Sequence, residues 1–396
     1  MQPGVVVTGI GIVSAIGIGT EETLTSLLNK RSGIAPVRWL ETIHSGIPVA
    51  EVSHSTDELA EIAGTSGQPG IFTRNTLLAM IAAGQSVEMS EPSGSGLDQA
   101  GLVMATTVGG MDYNEKHYRS LLAGKETAGG TSVLDSSDTT EKLAARFGIL
   151  RNVTTISTAC SSSANAIMLA SRLIRNGKLT RVLAGGSDAL TIFTLNGFRG
   201  LELLSPTGCR PFDAHRDGLT LGEGAAVLML ESDRTADMSK ALCRISGYAN
   251  VNEAFHQTSA SPDGAGAFMA MSECLESAGL EPWEIGYINA HGTGTEMNDR
   301  AEALAIERLF GRKIPPVSST KAFTGHTLGA AGAIEAVISV LAIREQKVWP
   351  SIHINEVMPE ISFLPPNDTL SVPVGHVMSN SFGFGGNNTS LIFSEI

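Results

Sequence analysis

Cysteine is scarce in this chain of 396 residues. The four present, Cys160, Cys209, Cys243 and Cys274, lie 49, 34 and 31 residues apart, so no C-x-x-C pair exists. That excludes zinc ribbons and thioredoxin-like redox motifs. Four cysteines are also too few for a disulfide scaffold, so a reducing cytoplasm is the expected setting. Positive charge is short as well: 27 Lys and Arg against 40 Asp and Glu leave a net −13. An acidic balance of this size argues against nucleic acid or an anionic membrane as the main partner. No Lys or Arg precedes Lys30, so the apolar run 5–13 lacks the basic flank of a signal peptide and reads as a buried strand. The longest apolar stretch, 322–343, is interrupted by Gly325, His326, Gly329, Gly332 and Glu335, and reads as a buried helix rather than a membrane span. A Walker A loop and a G-x-S-x-G elbow are missing. Gly9-Ile10-Gly11 follows a strand-like run, but Ser14 stands where a dinucleotide fingerprint needs its third glycine, so a tight turn is expected there.

What the chain does have is core. Hydrophobic residues make up 42% and charged residues 17%, enough apolar surface for a large folded interior. Short β-branched runs at 5–8, 101–107, 181–184 and 225–231 read as strands, and 164–174 and 330–343 as helices. This alternation predicts α/β layers with mostly buried strands. The polar stretch 232–240 separates two strand-rich series and places a boundary near residue 240.

Four segments carry possible chemistry. In the first, Val153-Thr154-Thr155-Ile156-Ser157-Thr158-Ala159-Cys160, a strand-like run ends at a cysteine and a small-residue helix follows, so the helix dipole favours a thiolate. The alternative is a buried structural cysteine. In the second, Tyr287-Ile288-Asn289-Ala290-His291-Gly292-Thr293-Gly294-Thr295, a strand ends at a histidine. The third runs from Ser318 through Lys321 to Gly325-His326 and into the apolar helix. Within 322–343, Glu335 is the sole charged residue; a carboxylate there is costly unless paired, and Lys321 is the natural partner. The last, Asn380-Ser381-Phe382-Gly383-Phe384-Gly385-Gly386-Asn387-Asn388, is a glycine-rich turn able to aim backbone N–H groups at developing negative charge.

Together these motifs resemble the β-ketoacyl-acyl carrier protein synthases, thiolase-fold condensing enzymes of fatty acid and polyketide synthesis. The resemblance runs from Val5-Val6-Val7-Thr8-Gly9-Ile10-Gly11 through Thr158-Ala159-Cys160, Arg210-Pro211-Phe212-Asp213 and Gly222-Glu223-Gly224-Ala225 to the histidine and glycine-rich segments. It implies a thiolase-like α/β fold of two similar halves in αβαβα layers, here 1–240 and 241–396. It also implies a dimer, either a homodimer or a heterodimer with a chain-length-factor-like subunit. Carried over by position, Cys160 becomes the acyl-accepting nucleophile, and His291 and His326 the pair that promotes decarboxylation. Lys321 and Glu335 become a supporting ion pair. Thr293 and Thr295 would contact the phosphopantetheine arm, with Phe382 beside them at the substrate. The backbone N–H groups of Cys160 and Phe384 would form the oxyanion hole, with the Phe384 ring as a gate. Acyl carrier protein is the implied partner, and no metal or redox cofactor is implied.

Departures stand beside the matches. Chain-elongating relatives carry Ala-Thr-Gly after the nucleophile, whereas this chain has Ser161-Ser162-Ser163; Ser-Ser-Ser-Ala-Asn is similar to aryl polyene ketosynthases. Many relatives carry a Lys/Arg-rich segment where this chain has 51–70, whereas no Lys or Arg occurs here within 39–73, so the usual carrier-docking surface is missing. Arg74, Lys116, Arg119 and Lys125 are therefore expected to supply it. A non-catalytic chain-length-factor-type partner is the competing reading, but such partners lack the nucleophile. A coenzyme A thiolase would use a second cysteine near the C-terminus, whereas the last one here is Cys274.

Overall fold

Long runs of Val, Ile, Leu and Ala with few charges can be buried on both faces, and they form the centre of the sheet. The computed structural model describes residues 2–90, 97–125 and 131–396. Its main sheet consists of β1 (Val5–Ser14), β2 (Gly17–Ile18), β3 (Gly101–Ala105), β4 (Val153–Ile156), β5 (Arg181–Asp188) and β6 (Gly224–Ser232), followed by β7 (Cys243–Asn252), β8 (Tyr287–Asn289), β9 (Val317–Ser318), β10 (His376–Gly383) and β11 (Asn387–Ser394). Their order is β9-β8-β10-β11-β7-β1-β6-β5-β3-β4, with β2 on β1. Strands β1 and β6 are buried along their whole length. β1 meets β7 only through Val6–Arg244 and Val7–Cys243, so two five-stranded arrays join at one short seam.

Helices α1 (Arg74–Ser90), α2 (Ser162–Arg175), α3 (Ala265–Ala278), α4 (Glu296–Phe310) and α5 (Ala331–Glu345) complete the layers. α1 covers β1, β6 and β5 from outside, and α3, backed by α4, covers β7 and β11. Between the two arrays lie α2 and α5, which touch each other and strands of both halves. This is the αβαβα stack. α5 has no solvent face in the middle layer: its residues 331–343 are all buried, Glu335 included.

The strands near 101, 181 and 225 and the two central helices lie where the sequence places them, with ends shifted by a few residues. Gly9-Ile10-Gly11 differs. It is not a turn but part of β1, just after a bulge at Val7–Gly9. Side chains at Gly9 and Gly11 would collide with the backbone carbonyls of Ser86 and Ala82, so the glycines let α1 lie directly on the strand.

Arg74 corrects a second expectation. It is buried at the start of α1, and its guanidinium donates to both carboxylate oxygens of Glu223, at 2.6–3.0 Å. Glu223 also accepts the N–H groups of Val52 and Leu190. Arg74 is therefore an internal clamp and cannot serve a docking patch. Lys116 and Lys125 are exposed, and the side chain of Arg119 lies outside the described residues. Arg74→Met should lower stability by about 3–5 kcal/mol, because it strands a buried carboxylate. A urea denaturation midpoint equal to wild type would sink this assignment.

Candidate functional site

The segment around Cys160 is built as a sharp bend. β4 ends at Ile156, Ala159 takes the left-handed conformation (φ 53°), and α2 begins at Ser162. Ser162 Oγ accepts the Thr158 N–H at 2.8 Å and donates to the Ala159 carbonyl, which holds a residue without glycine's freedom in that conformation. Ser163 Oγ accepts the Ala333 N–H at 2.8 Å and so ties α2 to α5. Ser161 hydrogen-bonds Asn387 Oδ1, to which Asn165 Nδ2 and Asn250 Nδ2 also donate. Each serine of the unusual Ser-Ser-Ser run thus has a structural partner.

Cys160 projects from this bend into a cavity of about 290 Å³, also lined by His291, His326, Thr293, Thr295, Phe382 and Phe384. The N–H groups of Phe384 and of Cys160 itself reach its sulphur. Gly383 packs against the bend, where a Cβ would stand 3.2 Å from the Cys160 nitrogen. The Phe384 ring stacks on Phe198 with centroids 5.8 Å apart, and Phe382 lies 5.9 Å from the His291 ring. Thr293 and Thr295 are joined through their hydroxyls at 2.8 Å.

The two imidazoles meet edge to face, 5.4 Å between centroids. Their tautomers follow from what faces Nδ1. On His326, Nδ1 accepts the Leu328 N–H at 3.2 Å. On His291, Nδ1 lies 3.2 Å from the Lys321 ammonium, which can only donate. In both rings the proton therefore sits on Nε2. Burial first, then Lys321, holds both pKa values well below the ordinary histidine value, so the rings stay neutral at neutral pH. Lys321 also donates to the His291 carbonyl and is ion-paired with Glu335. Burial pushes the Glu335 carboxyl up to about 7 against the pull of Lys321.

Sequence reasoning missed three carboxylates. Glu302 accepts the N–H groups of His291 and Gly292, at 2.9 and 2.8 Å, and Asn380 Nδ2. Asp299 accepts those of Phe212, Thr293 and Gly294. Asp188, at the end of β5, accepts from Thr106, Thr107, Val108 and Gly329. The first two were detectable as an i, i+3 acidic pair opening a helix just after Gly-Thr-Gly-Thr; Asp188 had no local signal.

The thiol also departs from expectation. The α2 terminus favours a thiolate, but burial pushes Cys160 up to about 11, the larger effect over Lys321 and the Phe384 N–H. With its thiol pushed that high, Cys160 is protonated at neutral pH.

A layered α/β fold with a buried cysteine and two buried histidines in one cavity at strand ends defines a thiolase-like acyltransferase. Family profiles described as "Beta-ketoacyl synthase, N-terminal domain" and "Beta-ketoacyl synthase, C-terminal domain" match residues 2–236 and 242–355. A 3-oxoacyl-[acyl-carrier-protein] synthase 2 of Staphylococcus aureus is 32% identical over 99% of this chain and 98% of its own. The solved ishigamide ketosynthase/chain length factor superposes with a TM-score of 0.91 at 29% identity, covering all of both chains. A type II polyketide acyl-carrier protein in complex with its hexaketide-bound ketosynthase superposes at 0.87 and 28%, again over all of both chains. The chain belongs to the beta-ketoacyl synthase family, and its enzymatic class is beta-ketoacyl-acyl carrier protein synthase, acting in fatty acid or polyketide synthesis. Among the described residues no helix is long and apolar enough to cross a membrane.

Two outcomes follow from the site. Iodoacetamide should alkylate Cys160 faster by about tenfold per pH unit from pH 7 to 9 without levelling, since thiolate is the reactive form and the raised pKa keeps it scarce. A plateau below pH 8 would contradict the dominance of burial. Glu335→Ala should cost about 3–5 kcal/mol by leaving Lys321 unpaired. A calorimetric unfolding curve matching wild type would refute it.

Proposed function

We propose that the protein elongates a carrier-bound chain by decarboxylative Claisen condensation. Residues 1–240 supply the Cys160 nucleophile, and 241–396 supply His291, His326 and Lys321. The Cys160 sulphur attacks the carrier thioester carbonyl, the tetrahedral oxyanion is held by the Cys160 and Phe384 N–H groups, and its collapse breaks the carbon–sulphur bond to the carrier and expels the phosphopantetheine sulphur, which takes up the proton given up by the Cys160 thiol. Malonyl-acyl carrier protein then enters past Thr293 and Thr295 with its phosphopantetheine arm. Its carbon–carboxyl bond breaks, carbon dioxide leaves, and the electron pair moves onto the thioester oxygen as an enolate. The enolate carbon attacks the Cys160 thioester, and collapse of the second oxyanion expels the cysteine sulphur and leaves the β-ketoacyl product on the carrier. No metal or redox group is needed in this scheme.

The observation that carries the reading is the pair of fixed Nε2–H tautomers on neutral rings lining the cavity that holds Cys160. Neutral N–H donors stabilise a growing enolate oxygen without protonating it. A chain-length-factor-type role, without catalysis, would leave this arrangement without a purpose. The partners proposed are acyl carrier protein and a second subunit, either a copy of this chain or a chain-length-factor-like protein. Exposed Lys116 and Lys125 remain the candidate carrier contacts. The Ser161-Ser162-Ser163-Ala164-Asn165 run supports aryl polyene synthesis as the particular pathway.

The half-reactions should separate. Cys160→Gln should abolish condensation yet release carbon dioxide from malonyl-acyl carrier protein, because the amide occupies the place of the thioester. His326→Ala should slow that release while acyl-Cys160 still forms by mass spectrometry. Equal loss of carbon dioxide release in both folded variants would defeat the division of roles, and no release from the wild type would defeat the function.

A further inference from the structure

Asp188 is fully buried, and no cation is paired with it among the described residues. Instead its carboxylate is filled by short hydrogen bonds from two directions. Oδ1 accepts Thr106 Oγ1 at 2.6 Å, the Thr107 N–H at 2.9 Å and the Val108 N–H at 3.3 Å. Oδ2 accepts Thr107 Oγ1 at 2.6 Å and, from the other half of the molecule, the Gly329 N–H at 2.7 Å. Gly329 directly follows Leu328, whose N–H occupies His326 Nδ1 and which sits in the left-handed conformation at φ 51°. A β-carbon at position 329 would stand 2.8 Å from Asp188 Oδ2 and 3.0 Å from Thr107 Cγ2. The strained turn that selects the His326 tautomer is therefore held against a single buried carboxylate.

We propose that Asp188 is the positioning residue that sets the hydrogen-bonding face of His326, by anchoring the Leu328–Gly329 turn. It touches neither substrate nor imidazole. Its effect passes from Oδ2 to the Gly329 N–H, through the turn to the Leu328 N–H, and from there to Nδ1, leaving Nε2–H for the cavity. Asparagine cannot substitute: whichever way it is turned, its NH2 meets a backbone N–H, at Gly329 on one side or at Thr107 and Val108 on the other. The catalytic part of this inference rests on the decarboxylation proposed above.

The test uses Asp188→Asn and Gly329→Ala, which disturb the same contact from opposite sides. The second keeps the charge and decides the matter if the first does not fold. In both, carbon dioxide release from malonyl-acyl carrier protein should fall on the order of 10- to 100-fold. Acyl-Cys160 formation should change by less than about threefold in Gly329→Ala, which keeps the Asp188 charge, and should not fall in Asp188→Asn, where loss of a charge that raises the Cys160 pKa favours the thiolate. Independently of activity, 15N NMR of histidine-labelled protein, assigned with His326→Ala, should show one Nε2–H tautomer for His326 in the wild type and a mixture in the variants. An unchanged His326 signal, or acylation and decarboxylation falling together, overturns the proposal. A wild type that releases no carbon dioxide defeats the condensation reading and leaves the tautomer measurement to decide this one.

Discussion

The Lys321 ammonium is the charge around which the site is arranged. It is buried, and it is acceptable there because Glu335, the His291 carbonyl and His291 Nδ1 receive its three protons. That one placement decides several things together. It fixes the tautomer of His291, it helps keep both imidazoles neutral, and it pulls the Cys160 thiol downward against its burial. Glu335 can reach it only because α5 runs through the middle layer of the fold, where no water competes.

Around this centre, buried carboxylates do work that is usually left to backbone pairing. Asp188, Asp299 and Glu302 each gather several backbone N–H groups at the ends of strands or at loop bends. Glu223 does the same for Val52 and Leu190 while paired with Arg74. An acceptor with two oxygens can satisfy several donors that no strand or helix reaches, and a buried donor without a partner is costly. Loops near the chemistry thereby become as fixed as the sheet, which a site needs if its donors are to meet charge that appears only in transit.

The thiol shows two physical effects in opposition. The helix terminus and nearby N–H groups favour a thiolate, whereas the dry cavity disfavours any charge. Burial wins in the resting state. The same dryness would strengthen the backbone N–H groups of Cys160 and Phe384 toward an oxyanion, so in the proposed reaction a reluctant nucleophile and a strong oxyanion site share one cause.

Much of the site was legible in the order of residues. Cys160 and His291 stand just past strands and before small residues, His326 follows the Lys321 loop, and Glu335 is the sole charged residue of 322–343 and names Lys321 as its partner. The layered fold followed from alternating buried strands and helices. Other features were decided only in three dimensions. Gly9 and Gly11 look like a turn until α1 is laid across β1. Arg74 looks like a surface cation until Glu223, 149 residues away, is brought beside it. Asp188 has no local mark, because its partners lie 82 residues before it and 141 after it. Periodicity and motif spacing report what neighbours along the chain can do. The energy of a buried charge depends on which donors and dipoles surround it, and those are assembled only when distant segments pack.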